Sequence, residues 1–202
     1  METPLKVRPI ALCNSAYKVF TGMITVRLKN VMQKYVKIDQ KGFIADRYIL
    51  ENVLEFKIWK ENLKGEQSLV SLDFAKAYDK VDVGYMIHVL ERMDFPDGLV
   101  LMIKSLYKNS FFKVITATGL TQKGLFGSGV KQGDPLSPFL FNLALEPLLE
   151  MCRQNLKGIE VEGVLKKVSA YADDICLYVN DVEDMGMARS AWKGIREHQG
   201  LN

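Results

Sequence analysis

Two adjacent aspartates, Asp173 and Asp174, sit between apolar runs that lean toward β structure, Val168 to Tyr171 before them and Ile175 to Val179 after. Like charges at this range repel unless a cation compensates them. Carboxylate oxygens select hard cations, Mg²⁺ above all. An aspartate here also suits a tight hairpin turn. The pair by itself leaves both readings open, a turn and a metal site. Asp73 adds to the second: it ends another short apolar segment, Ser68 to Leu72, and precedes Phe74. Two strand-end carboxylate sites can converge in one sheet and hold two ions, which clamp the attacking and leaving oxygens of a phosphoryl displacement. Such chemistry asks for positioning and charge neutralisation rather than covalent protein chemistry. It suits a chain with no Ser-His-Asp or Cys-His arrangement, whose two histidines, His88 and His198, fall in helical patterns.

A third element is the run from Gly129 to Pro138, Gly-Val-Lys-Gln-Gly-Asp-Pro-Leu-Ser-Pro. Its glycines let a ligand approach the backbone, and the helix that follows favours phosphate at its N-terminus. The alternative is an ordinary turn capped by Asp134 and closed by Pro135.

The elements that must position these residues follow from periodicity. Asn14 or Ser15 caps a helix whose buried face is Tyr17, Phe20, Ile24, Leu28, Val31 and Tyr35. Gly42 breaks the pattern, and a second helix spans about 49–63, ended by Lys64-Gly65. A buried strand covers 68–72. Helices are expected over 83–93 and 97–108, separated at Phe95-Pro96. A strand follows at 111–118, a glycine-rich loop at 124–129, and a long helix from Pro135. A small hairpin is expected at 158–164, strands at 168–171 and 175–179, and a last helix capped by Asp181. Helices, a strand, helices and then hairpin strands make an α+β chain.

Of the 202 residues, 48% are hydrophobic and 25% charged, the balance of a folded domain rather than a disordered one. Residues 1–67 carry a net charge of +5 and residues 68–202 carry −2. A basic first third suits a phosphate-backbone partner, and it suits equally the ordinary scatter of surface lysines. Cys13, Cys152 and Cys176 lie far apart with no CxxC spacing, which argues against a disulfide framework or a zinc site and for a reducing compartment. The N-terminus has no apolar run of signal-peptide length. The most apolar stretch, Pro135 to Cys152, is interrupted and short for a membrane span.

At this point the sequence resembles the reverse transcriptases of the non-LTR (LINE-type) branch. The run Asp73-Phe-Ala-Lys-Ala-Tyr-Asp79 resembles their first palm motif, Gln132-Gly-Asp-Pro-Leu-Ser-Pro138 the second, and Tyr171-Ala-Asp-Asp174 the third. Upstream, Arg8-Pro-Ile-Ala-Leu-Cys-Asn14, Arg27-Leu28 and Gln40-Lys-Gly-Phe-Ile-Ala-Asp-Arg47 resemble fingers motifs. Lys131 stands where arginine is common, and Ala45-Asp46 where Pro-Gly is. The motifs run in the correct order over nearly the whole chain.

The resemblance implies a right-hand polymerase fold, with a partial fingers subdomain over 1–66 and a palm over 67–202. The palm would be a small antiparallel sheet backed by helices, cut at the start of a fourth motif near Gln199, with the thumb absent. It implies an RNA-directed DNA polymerase core in which Asp73, Asp173 and Asp174 are catalytic. These three and the Phe74 carbonyl would hold two Mg²⁺ ions, with Mn²⁺ a substitute. Arg8, Tyr78, Gln132 and Gly133 would bind the nucleotide, Tyr78 as the aromatic that excludes a ribose 2′-hydroxyl. Lys41 and Arg47 would touch the template. The partners implied are an RNA template, a DNA primer, dNTPs and the remainder of a retrotransposon polyprotein. No membrane partner is implied, and the location would be intracellular, in cytoplasm or nucleus. The rival reading is an inactive or domesticated module that only binds nucleic acid.

Overall fold

The computed structural model describes residues 10–198. Asn14 begins the first helix, α1 (Ser15–Lys29): its side chain accepts from the Ala16 N–H at 2.9 Å, and Arg27 and Lys29 complement the helix dipole at the other end. The expected single face out to Tyr35 is interrupted. The chain turns at Asn30 and Val31 and resumes as α2 (Met32–Tyr35), and Phe20 is exposed rather than buried. The turn lets Tyr35 stack on Phe95, with ring centroids 4.1 Å apart. A loop over 36–48 leads to α3 (Ile49–Glu61) and then to β1 (Ser68–Leu72).

A short helix not anticipated from the sequence, α4 (Ala77–Lys80), follows Lys76, whose φ of +59° turns the chain sharply. Next come α5 (Val83–Arg92), capped by the Asp82 carboxylate accepting from Tyr85 N–H at 2.6 Å, and α6 (Asp97–Tyr107). The strand expected over 111–118 is instead two short pieces, β2 (Phe111–Phe112) and β3 (Ile115–Thr116). They fold back onto β4 (Gly119–Leu120) and β5 (Gly124–Leu125) as a narrow ribbon. The chain continues as α7 (Ser137–Asn155), the hairpin β6 (Ile159–Val161) and β7 (Val164–Lys166), then β8 (Val168–Tyr171), β9 (Asp174–Val179) and α8 (Val182–His198).

The centre is α7, which is apolar nearly all round and therefore buried on all sides. Each fully buried leucine on it, Leu140 and Leu149 among them, contributes about 2 kcal/mol of burial. Beside it lies a three-stranded antiparallel sheet in the order β1-β9-β8. Alternation divides that sheet. Val70, Leu72, Val168, Ala170, Ile175, Leu177 and Val179 face the main core, while Leu69, Cys176 and Tyr178 meet Trp59, Ile159 and Val161 on the other side. The Trp59 indole N–H closes that second cluster by donating to the Ile159 carbonyl at 3.0 Å. No helix among the described residues is long and apolar enough to cross a membrane.

Candidate active site

The sheet's register sets the aspartates at one end of the sheet. Tyr171 pairs with Asp174 across the β8–β9 hairpin, so the turn consists of Ala172 and Asp173, with Ala172 at φ +54°. On the other flank of β9, Leu72 pairs with Ile175. Asp73 directly follows Leu72 and Asp174 directly precedes Ile175, so the two stand at the same end of neighbouring strands. Alternation points both toward the face carrying Tyr171, opposite the main core. Asp73 and Asp174 are exposed and Asp173 is half-buried in the turn. Among the described residues no lysine or arginine is ion-paired to Asp73 or Asp174, and no three acidic, histidine or cysteine side chains are drawn into one cluster. The Phe74 side chain is buried in the main core.

The turn is held from behind by Gln40, which is fully buried. Its amide donates to the Ala172 carbonyl at 3.1 Å, and its oxygen accepts from the N–H groups of Ala172 and Gly42, both at 2.8 Å. The neighbouring backbone joins in: Lys41 N–H donates to the Ala170 carbonyl at 2.9 Å, and Ala170 N–H to the Asp39 carbonyl at 2.9 Å. A side chain at Gly42 would run into the Ala172 backbone, so only glycine lets the loop approach this closely. Asn142 on α7 fixes the Gly42 carbonyl at 2.6 Å.

The same loop engages its Lys41 and Arg47 internally. Lys41 is 2% exposed at its side chain, bonded to Glu55 at 2.7 Å and to Glu51 at 2.9 Å. Burial pulls its pKa down, but the two carboxylates outweigh it and hold it above the ordinary lysine value. Arg47 donates to the carbonyls of Lys37, Gln40 and Val36 at 2.5, 2.6 and 3.0 Å. Both cations are occupied in shaping the loop that carries Gln40. Arg8 lies outside the described residues.

Tyr78 stacks flat on Phe141 of α7, with centroids 4.5 Å apart and planes 10° from parallel. Burial, and then the nearby Asp173 charge, push its hydroxyl pKa up, which places Tyr78 beside the aspartate turn. The Gly129–Gly133 loop docks onto α4. Val130 N–H donates to the Tyr78 carbonyl at 2.7 Å and Gly129 N–H to the Val81 carbonyl at 2.8 Å. At Gly129, with φ of +89°, an added Cβ would lie 2.8 Å from the Asp79 backbone. Gln132 donates its amide to the Asp79 carboxylate at 2.9 Å. An ionised carboxylate only accepts, so this bond fixes which way the Gln132 amide is turned. Gly133 is exposed at φ +101°, beside the Ile10–Leu12 segment, whose Ala11 N–H donates to the Gln132 carbonyl at 2.7 Å.

Lys131 is turned inward. It donates to Ser110 Oγ at 2.9 Å, the Leu106 carbonyl at 3.1 Å and the Tyr17 hydroxyl at 3.2 Å, under the rings of Tyr17, Tyr107 and Phe126. Burial lowers its pKa, against the opposing pull of Cys13 and Asp134. The structure thus sets Asp73, Asp173 and Asp174 at one end of the sheet and docks the Gln132–Gly133 loop onto α4, which carries Tyr78. Sequence reasoning missed Gln40, Asp79 and Lys131. Gln40 and Asp79 stand inside motifs that signalled them by position; the inward turn of Lys131 had no such signal.

Residues 2–199 match the family described as reverse transcriptase (RNA-dependent DNA polymerase). Over 187 residues the chain is 34% identical to a Xenopus laevis protein described as the transposon TX1 uncharacterized 149 kDa protein, covering 90% of this chain and 14% of that one. Over 189 residues it is 31% identical to a retrovirus-related Pol polyprotein from the type-1 retrotransposable element R2 of Popillia japonica, covering 90% of this chain and 26% of that one. The chain therefore spans a minor part of the length of these curated relatives. Among solved structures, apo telomerase from Candida tropicalis, truncated from the C-terminal domain, superposes with a TM-score of 0.62 at 13% identity, over 92% of this chain and 39% of that one. That likeness is one of fold.

Proposed function

The chain belongs to the reverse transcriptase family, and on that footing we propose that it is the core of an RNA-directed DNA polymerase, with residues 1–66 part of the fingers and 67–202 the palm. The observation that supports the reading is the register pairing Leu72 with Ile175 and Tyr171 with Asp174, which leaves Asp73 and Asp174 at the same end of neighbouring strands. Three acceptor-only carboxylates at one sheet end, with no lysine or arginine paired to Asp73 or Asp174 among the described residues, fit hard divalent cations. Two Mg²⁺ ions held by Asp73, Asp173, Asp174 and the Phe74 carbonyl would supply charge neutralisation at the attacking and leaving oxygens.

The protein's own residues then position the reactants. The primer 3′-hydroxyl oxygen bonds the α-phosphorus of a dNTP as the bond to pyrophosphate breaks. Gln132 and Gly133 line the nucleotide, Gly133 by leaving the backbone bare. Tyr78, braced flat against Phe141, presents a rigid edge where a ribose 2′-hydroxyl would collide. Arg8 supplies a bidentate guanidinium to the triphosphate.

The test is extension of a labelled DNA primer on an RNA template with Mg²⁺ and dNTPs, for this chain and for a form extended toward the length of its relatives. Asp173→Asn should cut the rate by at least about a hundredfold. Full activity after that change would end the metal assignment. In the same assay Tyr78→Ala should admit ribonucleotides, and unaltered sugar selection would end the gate assignment.

A further inference from the structure

Between α6 and the Gly129–Gly133 loop the chain leaves the body of the molecule as a two-stranded ribbon. Phe111 pairs with Leu125, Phe112 with Gly124, Ile115 with Leu120 and Thr116 with Gly119. Every residue from Phe111 to Lys123 is exposed. An isolated two-stranded ribbon is at best marginal in water. This one nevertheless leaves Phe111 at 50%, Phe112 at 46% and Ile115 at 67% exposure. Phe112 lies on the backbone of Gly124, where an added Cβ would meet its ring at 2.8 Å, so the ring is held against the ribbon rather than free to fold under it.

The charge of the segment is one-signed. From Gly98 through Gly133 there are five lysines and no aspartate or glutamate. Lys131 is caged, and Lys104, Lys108, Lys113 and Lys123 are exposed. The Lys123 ammonium sits 3.4 Å from the centre of the Phe111 ring, so cation and aromatic face share one spot. The ribbon's base is tied to the candidate site. Phe126 N–H donates to the Ser110 carbonyl at 2.8 Å, and Ser110 Oγ accepts from Lys131, the residue before Gln132.

We propose that this ribbon is a binding surface for single-stranded nucleic acid, with bases stacking on Phe111 and Phe112 and phosphates meeting Lys113 and Lys123. The apolar rings alone would suit a protein partner as well. A carboxylate-free run of lysines interleaved with aromatic faces suits a polyanion with flat bases. The ribbon runs in sequence into the Gln132 loop and is bonded to it through Lys131, which joins this surface to the candidate site. The inference rests on the nucleic-acid substrate proposed above and adds where that substrate is gripped.

The test is fluorescence anisotropy of the whole protein with a labelled single-stranded RNA of mixed sequence, about 20 nucleotides long, titrated at several salt concentrations. Phe111→Ala should weaken binding about tenfold through one lost stacking contact. Lys113→Ala with Lys123→Ala should lower the slope of log affinity against log salt by about 1.4, the share of two phosphates on a single strand. The control is Lys57→Ala with Lys60→Ala on α3, which should change neither. Circular dichroism and thermal melting confirm that each variant is folded. The ribbon assignment is overturned by unchanged RNA affinity in folded ribbon variants, which would leave a protein-docking ribbon, or by an equal effect of the α3 control. Failure of the wild-type protein to bind RNA overturns it too. Ribbon-dependent binding without primer extension supports it and counts against the polymerase reading alone.

Discussion

At the scale of single residues, the bond between Gln132 and Asp79 carries the most information. The two side chains come from different motifs and meet at 2.9 Å. A hydrogen bond to a charged group contributes about 1.5–3 kcal/mol. If Asp79 acts by orienting Gln132, its loss should appear in nucleotide binding and vanish when Gln132 is already gone. Asp79→Ala should raise the dNTP KM about tenfold with kcat little changed, and add nothing in a Gln132→Ala background. Steady-state kinetics of the two single variants and the double variant decide this; multiplicative effects would make Asp79 an independent structural residue. Sequence could name Asp79 as part of a run, but its partner stands 53 positions away, and no local periodicity reports such a pairing.

Among the elements, the aspartate hairpin and its buttress form one unit. Many strands and helices were legible because their signals are local: Asn14 and Asp181 cap the helices that follow, and short apolar runs identified β8 and β9. The buttress was not legible. Gln40 reaches Ala172 across 132 residues, and on the page a glutamine in a polar loop looks like a solvent-facing group. Nor does the sequence show the carbonyls and carboxylates that Lys41 and Arg47 engage. Replacing Gln40 with Ala would strand the N–H groups of Ala172 and Gly42 in a buried site. The expected loss is about 3 kcal/mol in urea unfolding, with reduced hydrogen-exchange protection at Ala172. A loss under about 0.5 kcal/mol, typical of a surface change, would mean that the turn holds itself.

Across the whole molecule, an ionic network ties the first part of the chain to the helix at its centre. Arg153 bonds Asp39 at 2.7 Å, Glu146 at 2.8 Å and Glu150 at 3.0 Å, and Lys166 bridges Glu55 at 2.9 Å to Asp39 at 3.6 Å. Glu146 is nearly fully buried. Burial raises its pKa, and Arg153 only partly pulls it back. A carboxylate raised in the folded state holds its proton more tightly there than in the unfolded chain, so its ionisation costs stability as pH rises. Arg153→Met would leave Glu146 buried without its ion-pair partner. The expected loss is about 3 kcal/mol at neutral pH, shrinking on acidification as Glu146 takes up a proton. Thermal melts of both forms from neutral to acidic pH test it; a loss that grows on acidification would be the wrong sign. The order of motifs along the chain told where the catalytic candidates lie, but this tie joins Asp39 to Arg153 over 114 residues and only folding reveals it.

The two-residue turn between Tyr171 and Asp174 has a consequence for how this protein can vary in length. Side chains alternate along a strand, so adding or removing one residue there would shift β9 by one place against β8 or force a bulge. In the shifted register Asp174 would leave the open face, while Ile175 would be carried onto it. An insertion of a single alanine between Ala172 and Asp173 would therefore keep every acidic residue in the chain and still dismantle their arrangement. At this hairpin, spacing is as much a part of the site as chemistry, and a length variant is as severe a lesion as the loss of an aspartate.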